Sequence, residues 1–123
     1  MDRMLKVLAP RGPDSGDRYL EGPLALGHRR LAIIDLSTRA NQPLLDTETG
    51  NRLVFNGTIY NYRELRSELS ERGHSFVSDG DSEVILKSYA EWGEQCVEHF
   101  HGMFAFAIWD VKRRQLFMAR DRL

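Results

Sequence analysis

Asn56 and Gly57, set between Phe55 and the run Thr58-Ile59-Tyr60-Asn61-Tyr62, are the residues with the most chemistry to offer. A carboxamide N–H₂ beside an unhindered backbone N–H gives two donors that, once fixed, can stabilise an oxyanion. Asn-Gly between apolar residues is equally the mark of a two-residue hairpin turn, whose central positions favour positive φ. Only Thr58, Ile59 and Tyr60 separate Gly57 from Asn61, and Asn61 with Glu64 has the spacing of a helix N-cap and its capping-box partner. A returning strand has little room there. On the residues alone the plain turn is still the simpler reading, and both stay open.

The other polar groups are weaker signals. Arg29 and Arg30 precede the apolar run Leu31-Ala32-Ile33-Ile34; if strand alternation holds, they point to opposite sides, so one of them can face a pocket and grip a carboxylate through a bidentate fork. Asp81 stands just before a helical pattern and reads as its N-cap. Cys96 and His99 lie at i, i+3, but free cysteine is among the most buried residue types and nothing nearby suggests a stabilised thiolate, so Cys96 reads as structural. A metal site from Cys96, His99 and His101 is weaker again, because positions i and i+2 of a helix diverge and His28 and His74 are distant in sequence. Arg11-Gly12-Pro13-Asp14-Ser15-Gly16 has no preceding strand and no following Gly-Lys-Ser/Thr, so it is a turn rather than a phosphate cradle. No Gly-x-Ser-x-Gly elbow is present.

The chain that must position these groups has 123 residues, 41% hydrophobic and 28% charged, with a net charge of −1. That is one domain with a single core, and the balance suggests neither a nucleic-acid nor a membrane partner. No apolar run reaches spanning length and Met1-Asp2-Arg3-Met4 lacks a signal-peptide core, so a cytoplasmic protein is expected. One cysteine excludes an internal disulfide. A helical start and a strand-like stop at Arg120-Asp121-Arg122-Leu123 give the expectation of a piece of something longer.

Periodicity then places the elements. Asp2 to Leu8 carries Met4, Leu5, Val7 and Leu8 on one helical stripe, ended by Pro10. Short strands are expected at Tyr19–Leu20, Leu24–Gly27 and Leu31–Asp35, with Gly22-Pro23 a turn and His28-Arg29-Arg30 an interruption. Thr38 to Leu44 reads as a polar loop, Leu44–Leu45 and Leu53–Phe55 as strands flanking a turn at Thr47 to Asn51. A helix follows from Tyr62 to about Arg72 with Leu65 and Leu69 inward and Gly73 as its stop. After a polar loop at Val77 to Asp81 comes a second helix with Val84, Ile85, Tyr89 and Trp92 as its buried stripe. Gly93 breaks it, and Glu94 to Phe100 resumes with Cys96, Val97 and Phe100 inward. Gly102 to Asp110 is apolar on both faces and predicts a central strand covered on both sides, with Gln115 to Ala119 its hairpin partner. The class is α+β with a mainly antiparallel sheet.

Seven blocks of this sequence resemble the glutamine amidotransferase domain of the asparagine synthetase family, in order and in spacing. They are Arg11-Gly12-Pro13-Asp14, His28-Arg29-Arg30-Leu31 with Ile34-Asp35-Leu36-Ser37, Asn41-Gln42-Pro43-Leu44, Phe55-Asn56-Gly57 with Ile59-Tyr60-Asn61-Tyr62, Asp81-Ser82-Glu83-Val84-Ile85-Leu86, Gly102-Met103-Phe104-Ala105-Phe106-Ala107 and Ala119-Arg120-Asp121. The resemblance implies an αββα sandwich of two mainly antiparallel sheets, of the N-terminal-nucleophile hydrolase type and incomplete here, with residues 1–123 a partial glutaminase domain. It implies acyl transfer from glutamine to a cysteine thiolate with release of ammonia. By the same resemblance Arg30 holds the glutamine α-carboxylate, Asp81 takes the α-ammonium, and the Asn56 side chain and Gly57 N–H form the oxyanion hole, which favours the sharper reading of that pair. No cofactor is implied for this domain; ATP and magnesium are implied for a C-terminal synthetase domain that would be its partner.

The sequence also departs from the family. The nucleophilic cysteine of a Met-Cys-Gly start is not matched by Met1-Asp2, so the 123-residue chain alone is expected to be inactive. Thr58 stands where a glutamate is usual and Pro10 where a histidine is usual, and the family's Gly-Ile-Lys-Pro-Leu continuation lies beyond Leu123. A missing edge strand would leave the apolar face around Phe104 to Ile108 uncovered, so self-association is expected. The second reading, of a different class, is an amidotransferase-like binding module without a nucleophile; the coding sequence upstream of Met1 separates the two.

Overall fold

The structure, a computed structural model, describes residues 1–12, 15–30 and 41–122, with the backbone alone at Ser15 and Arg30. The expected strand at Leu31–Asp35, the start of the polar loop after it and the Pro13-Asp14 pair lie outside the described residues.

Helix α1 (Asp2–Leu8) passes into a 3-10 turn at Ala9–Arg11, where Pro10 fits because its missing N–H is not needed in a first turn. Strands β1 (Ser15–Glu21) and β2 (Leu24–Arg30) form an antiparallel hairpin about Gly22-Pro23, with Gly22 at φ 54° supplying the left-handed turn position. His28-Arg29-Arg30 therefore continues β2 rather than interrupting it: Asp17, Gly16 and Ser15 pair with these three residues in register.

The second sheet has the order β3-β4-β5-β6, all antiparallel: β3 (Leu44–Leu45), β4 (Arg52–Ile59), β5 (Gly102–Asp110) and β6 (Gln115–Arg120). Between β4 and β5 come α2 (Tyr62–Glu71), α3 (Ser82–Trp92) and a 3-10 segment at Gly93–His99. Leu65 and Leu69 are the buried pair of α2, as the i, i+4 spacing predicts. Helix α3 is buried all round from Ser82 to Tyr89, not on a single stripe, because it is wedged between α2, the 3-10 segment and β4.

Four layers result. Leu53, Phe55 and Ile59 of β4 and Phe104, Phe106 and Ile108 of β5 face the helices and form the core with Leu65, Leu69, Val84, Ile85, Tyr89 and Phe100. The opposite face of the same sheet meets the β1–β2 hairpin: the Arg52 guanidinium lies 3.9 Å from the Tyr19 ring centroid, Trp109 Nε1 donates to Glu21 Oε2 at 2.6 Å, and a 2.8 Å hydrogen bond joins His28 Nε2 to Phe55 O. Helix α1 covers the far side of β2, since a Cβ at Gly27 would meet the Met1 and Leu5 side chains. The fold is α+β, an αββα arrangement of two antiparallel sheets.

Two expectations are corrected by these layers. β5 is a central strand, but Ala105 on its second face is exposed and Ala107 only half-buried, so that face is not covered along its whole length. Phe104, Phe106 and Ile108 are in turn well covered by the helices, so the apolar surface left open is elsewhere, at Met103, Leu116 and Met118. The α1 stripe is likewise exposed at Met4, Val7 and Leu8, with only Leu5 partly buried. No helix among the described residues is long and apolar enough to cross a membrane.

Candidate functional site

Asn56 and Gly57 lie inside β4, which runs on to Ile59; they are not a hairpin turn. Gly57 adopts φ 132°, and a Cβ there would collide with the Met103 carbonyl oxygen and come within 2.7 Å of Phe104 Cα. Only glycine allows the two backbones this approach. Asn56 is exposed and pairs with Ala105, on the face that looks toward the β1–β2 layer. β2 passes Phe55 at His28 and ends two residues later at Arg30, whose backbone pairs with Ser15; the Arg30 side chain lies outside the described residues.

Backbone direction at Gly57 follows from its neighbours. In an antiparallel pair, alternate residues direct both N–H and C=O to the same edge. Phe55 directs its groups away from β5: its N–H donates to Gln42 Oε1 and its carbonyl meets His28 Nε2. Ile59 does the same, donating to Asp81 Oδ2 at 2.9 Å, whereas Tyr60 donates to His101 O on the β5 side at 2.6 Å. Gly57, midway between Phe55 and Ile59, thus directs its N–H to the edge that, among the described residues, no strand pairs beyond Leu53, since β3 pairs with Arg52 and Leu53. Side chains stand in for a strand on either side of it.

Asp81 sits at the N-cap position of α3 but makes no capping hydrogen bond; its carboxylate reaches the β4 backbone instead. Burial pushes its carboxyl up from the usual range, against the opposing pull of the N–H groups of Ile59, Asp81 and Ser82. From Asn56 to Ile59 the strand advances roughly 10 Å, comparable with an extended glutamine and one hydrogen bond at each end. Asn61 is not a side-chain cap either. Its Nδ2 donates to His99 O at 2.9 Å and its Oδ1 accepts from His101 N at 3.0 Å, clipping the end of β4 to the start of β5.

Sequence reasoning missed three supporting residues. Gln42 and His28 were visible as parts of a loop, an arginine cluster and two family blocks, with no role attached to either. Glu83 accepts from Val77 N, Ser78 N and Ser78 Oγ, at 2.8 Å for both Ser78 groups, and so fixes the loop that leads into Asp81. The available signal was an acidic residue in a first helical turn that the structure buries. Cys96 is fully buried, and its thiol is pushed up to about 12 by that burial, so it is no nucleophile. His99 stacks on Trp92 at 3.7 Å, and no group of His, Cys, Asp and Glu among the described residues could hold a metal ion.

Two packed antiparallel sheets between helical layers are an arrangement seen in solved amidotransferases. Glutamine phosphoribosylpyrophosphate amidotransferase from B. subtilis shares this fold with a TM-score of 0.64 at 24% identity, over 79% of this chain and 23% of that one. The family model for the glutamine amidotransferase domain matches residues 1–123, and the chain belongs to that family. A glutamine-hydrolysing asparagine synthetase of Bacillus subtilis is 48% identical over the whole chain, and the amidase chry2 of Gibberella zeae is 39% identical over 99% of it. The chain spans 20% of the first of these relatives and 18% of the second.

Proposed function

We propose that this chain is the glutaminase part of a glutamine-dependent amidotransferase of the asparagine synthetase type. It would release ammonia from glutamine for an ATP-activated acceptor, most simply aspartate. The reading is supported by Gly57, whose amide the alternation along β4 turns to the side of the Phe55 and Ile59 amides, and by Asn56, exposed and next to it in sequence. A thiolate adding to the glutamine side-chain carbonyl turns its oxygen into an oxyanion; these two donors receive that charge. Ammonia then leaves, and water cleaves the thioester to glutamate and free thiol. The nucleophile is not Cys96; by family resemblance it is an N-terminal cysteine.

Arg30 takes the α-carboxylate and Asp81 the α-ammonium in this reading. ATP and magnesium act in a synthetase domain, and none of these 123 residues is assigned to them. The setting is cytoplasmic.

The test is kinetic, in a full-length protein carrying this domain. Asn56→Ala lowers glutamine-dependent kcat by about 10²–10³, because its charge partner exists only in the tetrahedral intermediate. Arg30→Ala mainly raises KM, since the carboxylate it grips is the same in ground and transition states. Ammonia-supported synthesis survives both changes. An unaltered kcat in Asn56→Ala would overturn the oxyanion assignment, and bound glutamine without any hydrolysis by the unsubstituted protein would favour a binding module.

A further inference from the structure

We infer that Gln42 is a positioning residue for the oxyanion strand: its side-chain carbonyl does for Phe55 what the next residues of a β3 strand would otherwise do. β3 is Leu44–Leu45 and pairs with Leu53 and Arg52, so among the described residues the ladder on that edge of β4 stops before Phe55. The edge still has backbone groups to satisfy, and an unpaired N–H in a buried setting costs free energy comparable with a lost hydrogen bond. Phe55 is 6% exposed and Gln42 8% exposed, so water is a poor substitute for either. The bond from Phe55 N–H to Gln42 Oε1 spans 13 residues of sequence and closes that gap.

The consequence falls on Gly57. Phe55 and Ile59 are its neighbours at two residues on either side along the same edge; Gln42 fixes the first and Asp81 the second. With both flanks tied, the glycine, whose lack of a Cβ makes it the softest point of the strand, keeps one backbone direction. Asp81 serves substrate in the reading above, whereas Gln42 touches the strand two residues before Gly57, and its contribution is to aim that amide. This inference rests on the oxyanion reading for its effect on rate, but not for its effect on the strand.

Three substitutions at one position decide it in the full-length protein. Gln42→Met keeps the length of the side chain and removes the acceptor; Gln42→Glu keeps an acceptor oxygen in either protonation state; Gln42→Ala removes both length and acceptor. A positioning bond predicts that Gln42→Met lowers glutamine-dependent kcat about tenfold or more with KM little changed, because small misplacements at a reacting centre are costly. It predicts that Gln42→Glu stays within a few-fold of the original and that ammonia-supported synthesis is unchanged in all three. Amide hydrogen exchange over residues 55–59 rises in Gln42→Met and Gln42→Ala but not in Gln42→Glu. A side chain that only fills space predicts the reverse order, with Met tolerated and Glu damaging, and that result would overturn the inference. So would unchanged exchange over residues 55–59 in Gln42→Met. If exchange rises while kcat holds, Gln42 fixes the strand but the strand does not serve the reaction; that outcome overturns the positioning role and points at the oxyanion reading itself.

Discussion

The Asp81 carboxylate shows how one residue can carry two opposed demands. Burial favours its neutral form, while the bond from Ile59 N–H favours the charged form, as would the glutamine ammonium in the function proposed above. The folded protein therefore holds this proton more tightly than the unfolded chain. Its contribution to stability is full below the unfolded value near 3.8 and fades as pH rises through the raised folded value. Affinity for an ammonium runs the other way, since only the ionised carboxylate attracts it. We expect KM for glutamine to rise as pH falls through the Asp81 pKa, and Asp81→Asn to raise KM above that pKa, to match the unsubstituted protein below it, and so to abolish that limb. A KM with the same acid limb in Asp81→Asn would assign the titration to another group. The sequence named the position but not its partner: an N-cap prediction assumes that the nearest unsatisfied N–H groups belong to the same helix, whereas here Ile59, 22 residues away, captures the carboxylate. The capping box at Asn61 failed for the same reason, because His99 and His101 offered partners that local spacing cannot reveal.

At the scale of elements, one buried ion pair holds the β3–β4 connection against the helix layer. Lys87 on α3 has a side chain 4% exposed and donates to Asp46 Oδ1 at 2.9 Å, with Glu48 Oε2 at 3.4 Å. Burial alone pulls its pKa down, yet Asp46 and Glu48 together outweigh that and hold it above the ordinary lysine range. Asp46 also accepts from Glu48 N and Thr49 Oγ, so it shapes the turn while it anchors the helix. Lys87→Met would leave Asp46 buried without its counter-charge, and we expect a loss of about 3 kcal/mol, the lower end for breaking a buried pair. Urea unfolding measures it, and adding Asp46→Asn to the Lys87→Met protein should recover part of the loss. If Lys87→Met unfolds at the original midpoint, the pair is only as strong as a surface contact. Helix α2 was legible because its Leu65–Leu69 spacing matches burial directly, whereas β5 and β6 were legible as a hairpin but not in which of their apolar residues are covered. Helix α3 was misread as one-sided, since Ser82, Glu83, Lys87 and Ser88 are polar residues that burial, not composition, places inside.

For the molecule as a whole, the layer order was legible only through family resemblance, because nothing in 123 residues of pattern says which sheet a hairpin stacks on. The open surface was misplaced for that reason. Leu116 and Met118 project from β6 on the face shared with Asn56; Met118 is 67% exposed, and β6 has no strand partner beyond it among the described residues. We propose that the 123-residue chain self-associates through this edge. Sedimentation should show dimers or larger species that Met118→Lys reduces, and a monomer at high concentration would count against the edge. The clip made by Asn61 has a different consequence, for the time order of synthesis. β4 leaves the ribosome before α2 and α3, while His99 and His101, which Asn61 grips, and the strand β5 after them follow roughly 40 residues later, or about 2–8 s at ordinary rates of chain growth. Through that interval β4 has, among the described elements, α1, the β1–β2 hairpin and the short β3 for company but not its partner β5, and slow codons placed between α2 and β5 would lengthen the period in which a chaperone must shield it.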